Sequence, residues 1–254
     1  VDLVADLGNT RAHVALISAV GLVERVDVRN DDAADLARAC DALVARGGAP
    51  RRAALVAVNP RLRAPLEAWL AGRGLEALVL GESLAVPLAL EVDDPAGVGP
   101  DRLADALWAA RTYPERAALV VDLGTAITLN VVSAAGAFLG GAIAPGLRTQ
   151  AWALAQRTAR LPLVDPVVSK DGATPLIGKT TEQCIRAALL WGAVGLVDAY
   201  AAQVERALGA RPVVVATGGD AAAVAGACPR IERVVPDLTL RGLHLALVEH
   251  AGGA

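Results

Sequence analysis

The sequence predicts an α/β protein in which one architecture is used twice, and three observations carry that reading. Short apolar runs of strand length alternate with longer stretches of helical periodicity along the whole chain. The run Val4-Ala5-Asp6-Leu7-Gly8 has a counterpart in Val120-Val121-Asp122-Leu123-Gly124, and each leads through small hydroxyl or amide residues into a second apolar run. With 54% hydrophobic and 20% charged residues, the chain has enough apolar content for a packed core and too little charge to stay disordered. Its 254 residues allow one large domain or two of ordinary size.

Residues 3–7 and 12–18 are apolar and flank a glycine turn, which predicts a hairpin. Asp31 or Asp32 is placed to cap a helix running to about Arg46, stopped by Gly47-Gly48. A strand over 53–58 ends at Asn59-Pro60. A helix over 61–71 and a strand over 77–80 follow. Two prolines and two glycines make 92–100 a loop, and 101–113 is helical. The pattern then restarts with strands over 118–123, 126–133 and 137–139 and a glycine-proline loop over 140–146. A helix begins near Leu147, and 161–180 is irregular. The longest helical pattern covers 181–208. It is followed by a strand over 213–216, a tight turn at Thr217-Gly218-Gly219, a short helix, a strand over 233–235 and a last helix over 238–250. The boundary between the halves falls near Pro114, giving segments 1–114 and 115–254.

A net charge of −3 with scattered Lys and Arg argues against a nucleic-acid binder. Cys40, Cys184 and Cys228 form no metal or disulfide pattern and read as reduced core thiols of a cytoplasmic protein. No leader is expected. No uninterrupted apolar run reaches the roughly 18 residues of a membrane helix, so no membrane partner is expected either.

The repeated turn has a physical use. Glycine lets the backbone fold tightly and approach a ligand. Successive N–H groups can converge on an anion, and Asn9, Thr10, Thr125 and Thr128 add neutral donors. An aspartate repels phosphate but can hold the cation that neutralises it. Two such turns facing each other would grip a triphosphate. Either turn taken singly reads equally well as an ordinary hairpin bend.

The duplication resembles the actin, hexokinase and acetate kinase superfamily, which implies two ribonuclease-H-like domains (the actin-like ATPase class) with a central ATP cleft. Further segments narrow the resemblance: Gly97-Val98-Gly99-Pro100-Asp101-Arg102, Asp122-Leu123-Gly124-Thr125-Ala126-Ile127-Thr128, the segment 138–147 reading F-L-G-G-A-I-A-P-G-L, Ile177-Gly178-Lys179-Thr180-Thr181, the segment 216–221 reading A-T-G-G-D-A, and 237–243 reading D-L-T-L-R-G-L. In this order the chain resembles a type III pantothenate kinase over nearly its whole length. The resemblance implies ATP-dependent phosphorylation of the 4′-hydroxyl of pantothenate, the first step toward coenzyme A. It also implies a homodimer, Mg²⁺, and a monovalent cation, K⁺ or NH₄⁺.

Site residues follow by resemblance. Asp101 matches the catalytic base; read by spacing alone, it could equally cap the helix that starts at Arg102. Gly99, Pro100, Arg102 and Thr181 match substrate contacts, with Arg102 also readable as a surface ion pair and Thr181 as a helix cap. Asp6, Leu7, Gly8, Asn9, Thr10, Arg11, Ala12 and His13 match the first phosphate hairpin, with Asp6 beside Mg-ATP, although His13 by itself reads as a half-buried strand histidine. Thr125 matches an ATP contact, Asp122 the monovalent-cation ligand, and Gly218 and Gly219 the nucleotide-side turn. Three positions depart from the family text. Val92 stands where a substrate-contacting tyrosine is usual, Thr180-Thr181 replaces Asn-Thr, and Asn59-Pro60 replaces Val-Pro. A kinase for another small alcohol, or a non-catalytic regulatory factor of the same family, are the alternatives. The helical spacing of Ile185, Leu189, Gly192 and Leu196 suits either an interface or a core.

Overall fold

The computed structural model describes residues 1–29, 32–166 and 174–252. The chain divides into two compact units, Val1–Arg111 with Leu238–Ala254, and Thr112–Asp237.

The first unit is built on a five-stranded sheet. Its strands are β1 (Asp2–Leu7), β2 (Arg11–Ser18), β3 (Gly21–Arg29), β4 (Ala53–Ala57) and β5 (Ala77–Val79), in the order β3-β2-β1-β4-β5. β1 and β2 are antiparallel, and β1 and β4 parallel. Strand pleating sends Leu3, Ala5 and Leu7 to one face, where they pack with Leu36, Cys40 and Leu43 of α1 (Ala33–Gly47) and with Leu66 and Leu70 of α2 (Arg63–Ala71). Val4, Ala15, Ile17, Ala54 and Val56 point to the other face. It is covered by Ala104 and Leu107 of α3 (Pro100–Thr112) and by Leu240, Leu243, Ala246 and Leu247 of α7 (Leu238–Gly252).

The second unit repeats the plan. β6 (Ala118–Leu123), β7 (Ala126–Val132), β8 (Phe138–Pro145), β9 (Val213–Thr217) and β10 (Arg233–Val234) lie in the order β10-β9-β6-β7-β8, which read from its other edge is the topology of the first sheet. Its helices are α4 (Leu147–Arg157), α5 (Thr181–Leu208) and α6 (Ala221–Ala225). The expected pair of ribonuclease-H-like sheets is therefore present.

Local chemistry sets the element ends. Asp32 caps α1 by accepting from the Asp35 amide at 2.8 Å; Asp31, the other candidate cap, lies outside the described residues. Asn59 accepts from the Arg61 amide at 3.1 Å and starts the short 3₁₀ turn Pro60–Leu62. Gly209, with φ of 67°, closes α5 in the left-handed region.

Four expectations change. The sequence reading has no β3, although Gly21 followed by alternating residues signals it; the alternation is masked because both faces are half-exposed. β8 continues to Pro145 where a loop is expected over 140–146, because Gly140 and Gly141, with φ of 94° and 153°, bend the edge strand without ending its pairing. The division near Pro114 lies close to Thr112, but the closing helix packs on the first sheet and not within the second unit: the apolar stripe of α7 matches the uncovered face of β1, β2 and β4. Cys184 is exposed, whereas Cys40 and Cys228 are buried thiols, and burial pushes Cys40 up to about 12. Part of the irregular stretch 161–180 lies outside the described residues.

α5 is, among the described residues, the one helix long and apolar enough to cross a membrane by length and composition alone. Its Ile185, Leu189, Ala193, Val197 and Ala201 form the core of the second unit against β6, β7 and β9.

Candidate functional site

In the first unit, β1 and β2 meet at the turn that follows Leu7. The register sets Asp6 opposite His13 and His13 opposite Asp27. Directly opposed residues share a face, so Asp6, His13 and Asp27 form a row across three strands. They lie on the face that α3 and α7 cover. Asp6 and Gly8 are half-buried; Asn9, Thr10 and Arg11 are exposed. The amides of Val58 and Asn59 both donate to the Leu7 carbonyl, at 3.2 and 3.0 Å, and hold the hairpin to the end of β4. The Asn59 side chain, which caps the 3₁₀ turn at Pro60–Leu62, is what the asparagine adds at the position where the sequence departs from the family text.

His13 Nδ1 lies 2.7 Å from Asp27 Oδ1, while Arg25 reaches both Asp27 oxygens at 2.8 and 2.7 Å. Burial raises the Asp27 carboxyl, but the bonds from Arg25 and His13 outweigh it and hold the group below the usual range. Asp27 is therefore an acceptor and Nδ1 carries the proton between them. The 3.2 Å approach of Arg25 Nη2 to the same nitrogen is then a contact between two donors. The sequence reading misses Asp27 and Arg25 because it misses β3.

Asp101 occupies the first turn of α3, and its Oδ1 accepts from the Arg102 amide at 2.9 Å. Burial raises its carboxyl above the usual aspartate range, partly offset by that backbone bond and by Arg102. A Cβ built at Gly99 would stand 2.5 Å from Asp101 Oδ1, so glycine there leaves the carboxylate its room. Upstream, Asp94 caps the 3₁₀ turn Pro95–Gly97. Val92 is half-buried.

In the second unit the turn between β6 and β7 is enclosed by backbone. A Cβ at Gly218 would fall 2.4 Å from Asp122 Oδ1 and 2.6 Å from the Leu123 carbonyl oxygen; one at Gly146 would fall 2.0 Å from the Gly124 oxygen. The Gly146 amide and the Thr149 hydroxyl both donate to the Thr125 carbonyl, at 3.0 and 2.6 Å, and the Asp220 amide donates to the Leu123 carbonyl at 3.1 Å. Asp220 is buried and receives Arg148 at 2.7 Å. The structure sets Gly218 against Asp122, and Thr125 against Gly146 and Thr149; Thr149, Arg148 and Asp220 are not among the residues the sequence reading singles out. The alternation of small residues over 140–149 was the available signal.

Thr181 is the first residue of α5, but the cap is Thr180, which accepts from the Gln183 amide at 3.2 Å. Thr181 lines a hollow of about 610 Å³ with Arg160, Pro162, Thr180 and Glu182.

Known proteins give this geometry a context. Among solved structures, one described as a conserved Baf family transcriptional activator from Campylobacter jejuni matches at TM-score 0.62 and 21% identity, covering 98% of this chain and 99% of that one. The activator of the 2-hydroxyisocaproyl-CoA dehydratase from Clostridium difficile, with bound ADPNP, matches at 0.55 and 11%, covering 99% and 96%. At such identities these likenesses establish the fold alone. In sequence, a type III pantothenate kinase of Acidiphilium cryptum is 43% identical over 172 residues, spanning 67% of this chain and 62% of that protein. Two others match almost end to end. That of Sphingopyxis alaskensis is 36% identical and covers 95% of each chain; that of Chlorobaculum parvum is 33% identical and covers 97% of this chain and 94% of its own. The type III pantothenate kinase family profile matches residues 2–203, and with these end-to-end relatives it shows that the chain belongs to the type III pantothenate kinase family.

Proposed function

We propose that this kinase transfers the γ-phosphoryl group of ATP to the 4′-hydroxyl of pantothenate, with Asp101 as the base. The observation that carries the assignment is the half-buried carboxylate at the start of α3, with its carboxyl raised by burial, in the segment that matches the family motif. A primary alcohol is a weak nucleophile. Asp101 accepts its proton as the hydroxyl oxygen bonds to phosphorus, the bridging bond to the β-phosphate breaks, and ADP leaves. Because burial disfavours the charged form, Asp101 holds a proton more readily than an ordinary aspartate, which suits a group that must accept one. Gly99 and Pro100 bring the backbone to the substrate beside Val92, Arg102 places its fixed fork on an oxyanion, and Thr181 supplies a hydroxyl.

Asp6 through His13 contact the nucleotide phosphates, and Thr125 contacts ATP. Phosphoryl transfer in this class requires a divalent metal. Among the described residues no group of three or more His, Cys, Asp or Glu side chains could hold one unaided. This suits Mg²⁺, which binds through one or two carboxylates and takes its other ligands from phosphate and water. Asp6 is that carboxylate in this reading. Asp122 would hold a monovalent cation, K⁺ or NH₄⁺. Either ion supplies charge neutralisation for the phosphates when bound.

The assignment extends to a homodimer in the cytoplasm. Ile185 and Leu189 of α5 are in the core, whereas Trp191, 37% exposed, and Gly192 and Gly195, where an added Cβ would meet open space, lie on its outer side. Trp191 and Gly195 border a groove of about 680 Å³. Trp191→Glu should convert a dimer to a monomer by light scattering. Unpaired thiols fit a reducing compartment. The decisive assay is ATP turnover with pantothenate, pantetheine and simple sugars, with and without K⁺. Turnover confined to a compound other than pantothenate would overturn the substrate assignment.

A further inference from the structure

Asp105 is a carboxylate with 1% exposure in the middle of α3. It has no part in the chemistry above, yet it lies one helical turn beyond Asp101 on the same side of the helix. The Thr239 hydroxyl donates to Asp105 Oδ1 at 2.8 Å, from the first turn of α7. Thr239 is itself 9% exposed. Three residues later Gly242 meets α3 by backbone alone: a Cβ there would stand 1.9 Å from the Ala104 carbonyl oxygen. α7 thus meets the N-terminal half of α3 at positions 104 and 105, by van der Waals contact and by a buried hydrogen bond, while at the far end of α3 Arg111 pairs with Glu249 at 2.7 and 2.8 Å and leaves the first turn to the Thr239 bond. The residue that precedes α7, Asp237, has φ of 59°, in the left-handed region.

A buried polar pair is rarely the most stable way to fill such a space; well-packed apolar residues usually do as well. What it adds is direction. A close backbone contact lets two helices slide or rotate over one another, whereas a hydrogen bond to one carboxylate oxygen fixes both rotation and rise. We propose that the Thr239–Asp105 bond is a positioning device that sets the rotation of the first turn of α3, and through it the place of the Asp101 carboxylate relative to the reacting hydroxyl. Misplacement of a catalytic group by about 1 Å can reduce rate by about 100-fold without removing any substrate contact. The proposal rests on Asp101 acting as the base, and the experiment separates the two.

Four full-length proteins are compared: wild type, Asp101→Asn, Thr239→Val and Thr239→Ser. Valine keeps the volume of threonine and removes the donor, while serine restores the donor and loses a methyl group. Steady-state kinetics are measured at a temperature where circular dichroism shows all four fully folded. Positioning predicts that Thr239→Val lowers kcat by about tenfold, with both KM values within twofold of wild type, and that Thr239→Ser recovers kcat to within about twofold. A wild-type kcat in Thr239→Val, with Asp101→Asn strongly impaired, overturns the positioning role and leaves the base intact. A kcat loss in Thr239→Val that serine fails to recover makes the contact merely structural and also overturns it. If Asp101→Asn retains wild-type kcat, the base assignment falls and the positioning role falls with it.

Discussion

The two turns that follow β1 and β6 share the text Asp-Leu-Gly and the same place in the same sheet topology, yet they are supported differently. The first is an open hairpin end. Its Leu7 carbonyl is tied by Val58 and Asn59, and its aspartate stands in a row with His13 and Asp27, the latter bonded by Arg25. The second is held by backbone, with Gly146 and Gly218 pressed against it and Thr149 and Asp220 closing its carbonyls. One motif thus serves in a region where side chains decide the chemistry and in another where main-chain shape does. In the first, substitutions should alter activity more than stability; in the second the order should reverse.

The largest expected effect is in the first unit. Asp101→Asn should lower kcat by about 10²–10⁴-fold with little change in Tm. In the wild type, log kcat should climb with pH through a value above the ordinary aspartate range and then level, because burial raises the carboxyl and only its deprotonated form accepts a proton. A pH-independent kcat from pH 4 to pH 8, on the order of the range assayed, would count against it.

In the second unit Gly146→Ala and Gly218→Ala force a Cβ onto backbone atoms, and Gly218 has φ of 93° besides. Each should lose about 1–3 kcal/mol of stability in urea titration. Gly8→Ala is the matched control: the nearest atom is the Arg11 carbonyl oxygen at 3.1 Å, so its cost should be under about 1 kcal/mol. Equal losses at Gly8 and Gly146 would erase the distinction between the turns.

Asp27→Asn removes the negative charge that holds His13 and Arg25 and replaces one acceptor oxygen with an NH₂ donor. It should raise the KM for ATP several-fold, leave kcat within about twofold, and change acid stability in a defined direction. The carboxyl of Asp27 is depressed in the folded state, so the stability it contributes is complete above about pH 4 and is lost as pH falls through the lower folded-state value. The gap between wild type and variant should therefore narrow below pH 4, at about the unperturbed carboxyl value, in acid-unfolding curves. The smallest effect is Thr180→Ala, which removes the cap of α5 and should cost about 1 kcal/mol by thermal unfolding.

Much of this was legible in the residues. The repeated aspartate turns, the helix start at Asp101 and the restart of the pattern in the second half all follow from apolar periodicity and punctuation. β3 was not, because its faces are both half-exposed and give no strong alternation. The place of α7 was not either, since a stripe of leucines says that a helix is covered without saying by what. The Asp105–Thr239 bond joins residues 134 positions apart, and no local pattern announces such a pair. In contrast, the capping of α5 depends on neighbours in sequence, and Thr180 and Thr181 were separable only by backbone angles: Thr180 is extended with φ of −127° and ψ of 160°.

That α7 belongs with the first sheet has a consequence for how the protein is made. Val4, Ala15, Ile17, Ala54 and Val56 are synthesised before the second unit, whereas Leu243, Ala246 and Leu247, which help to cover them, are synthesised only after it. Throughout translation of the intervening unit the part of this face that α3 does not cover stays bare and apolar, the kind of surface that chaperones hold and that nascent chains aggregate through. Synthesis of α7, and not completion of the first half, is then the event that lets the earlier unit close.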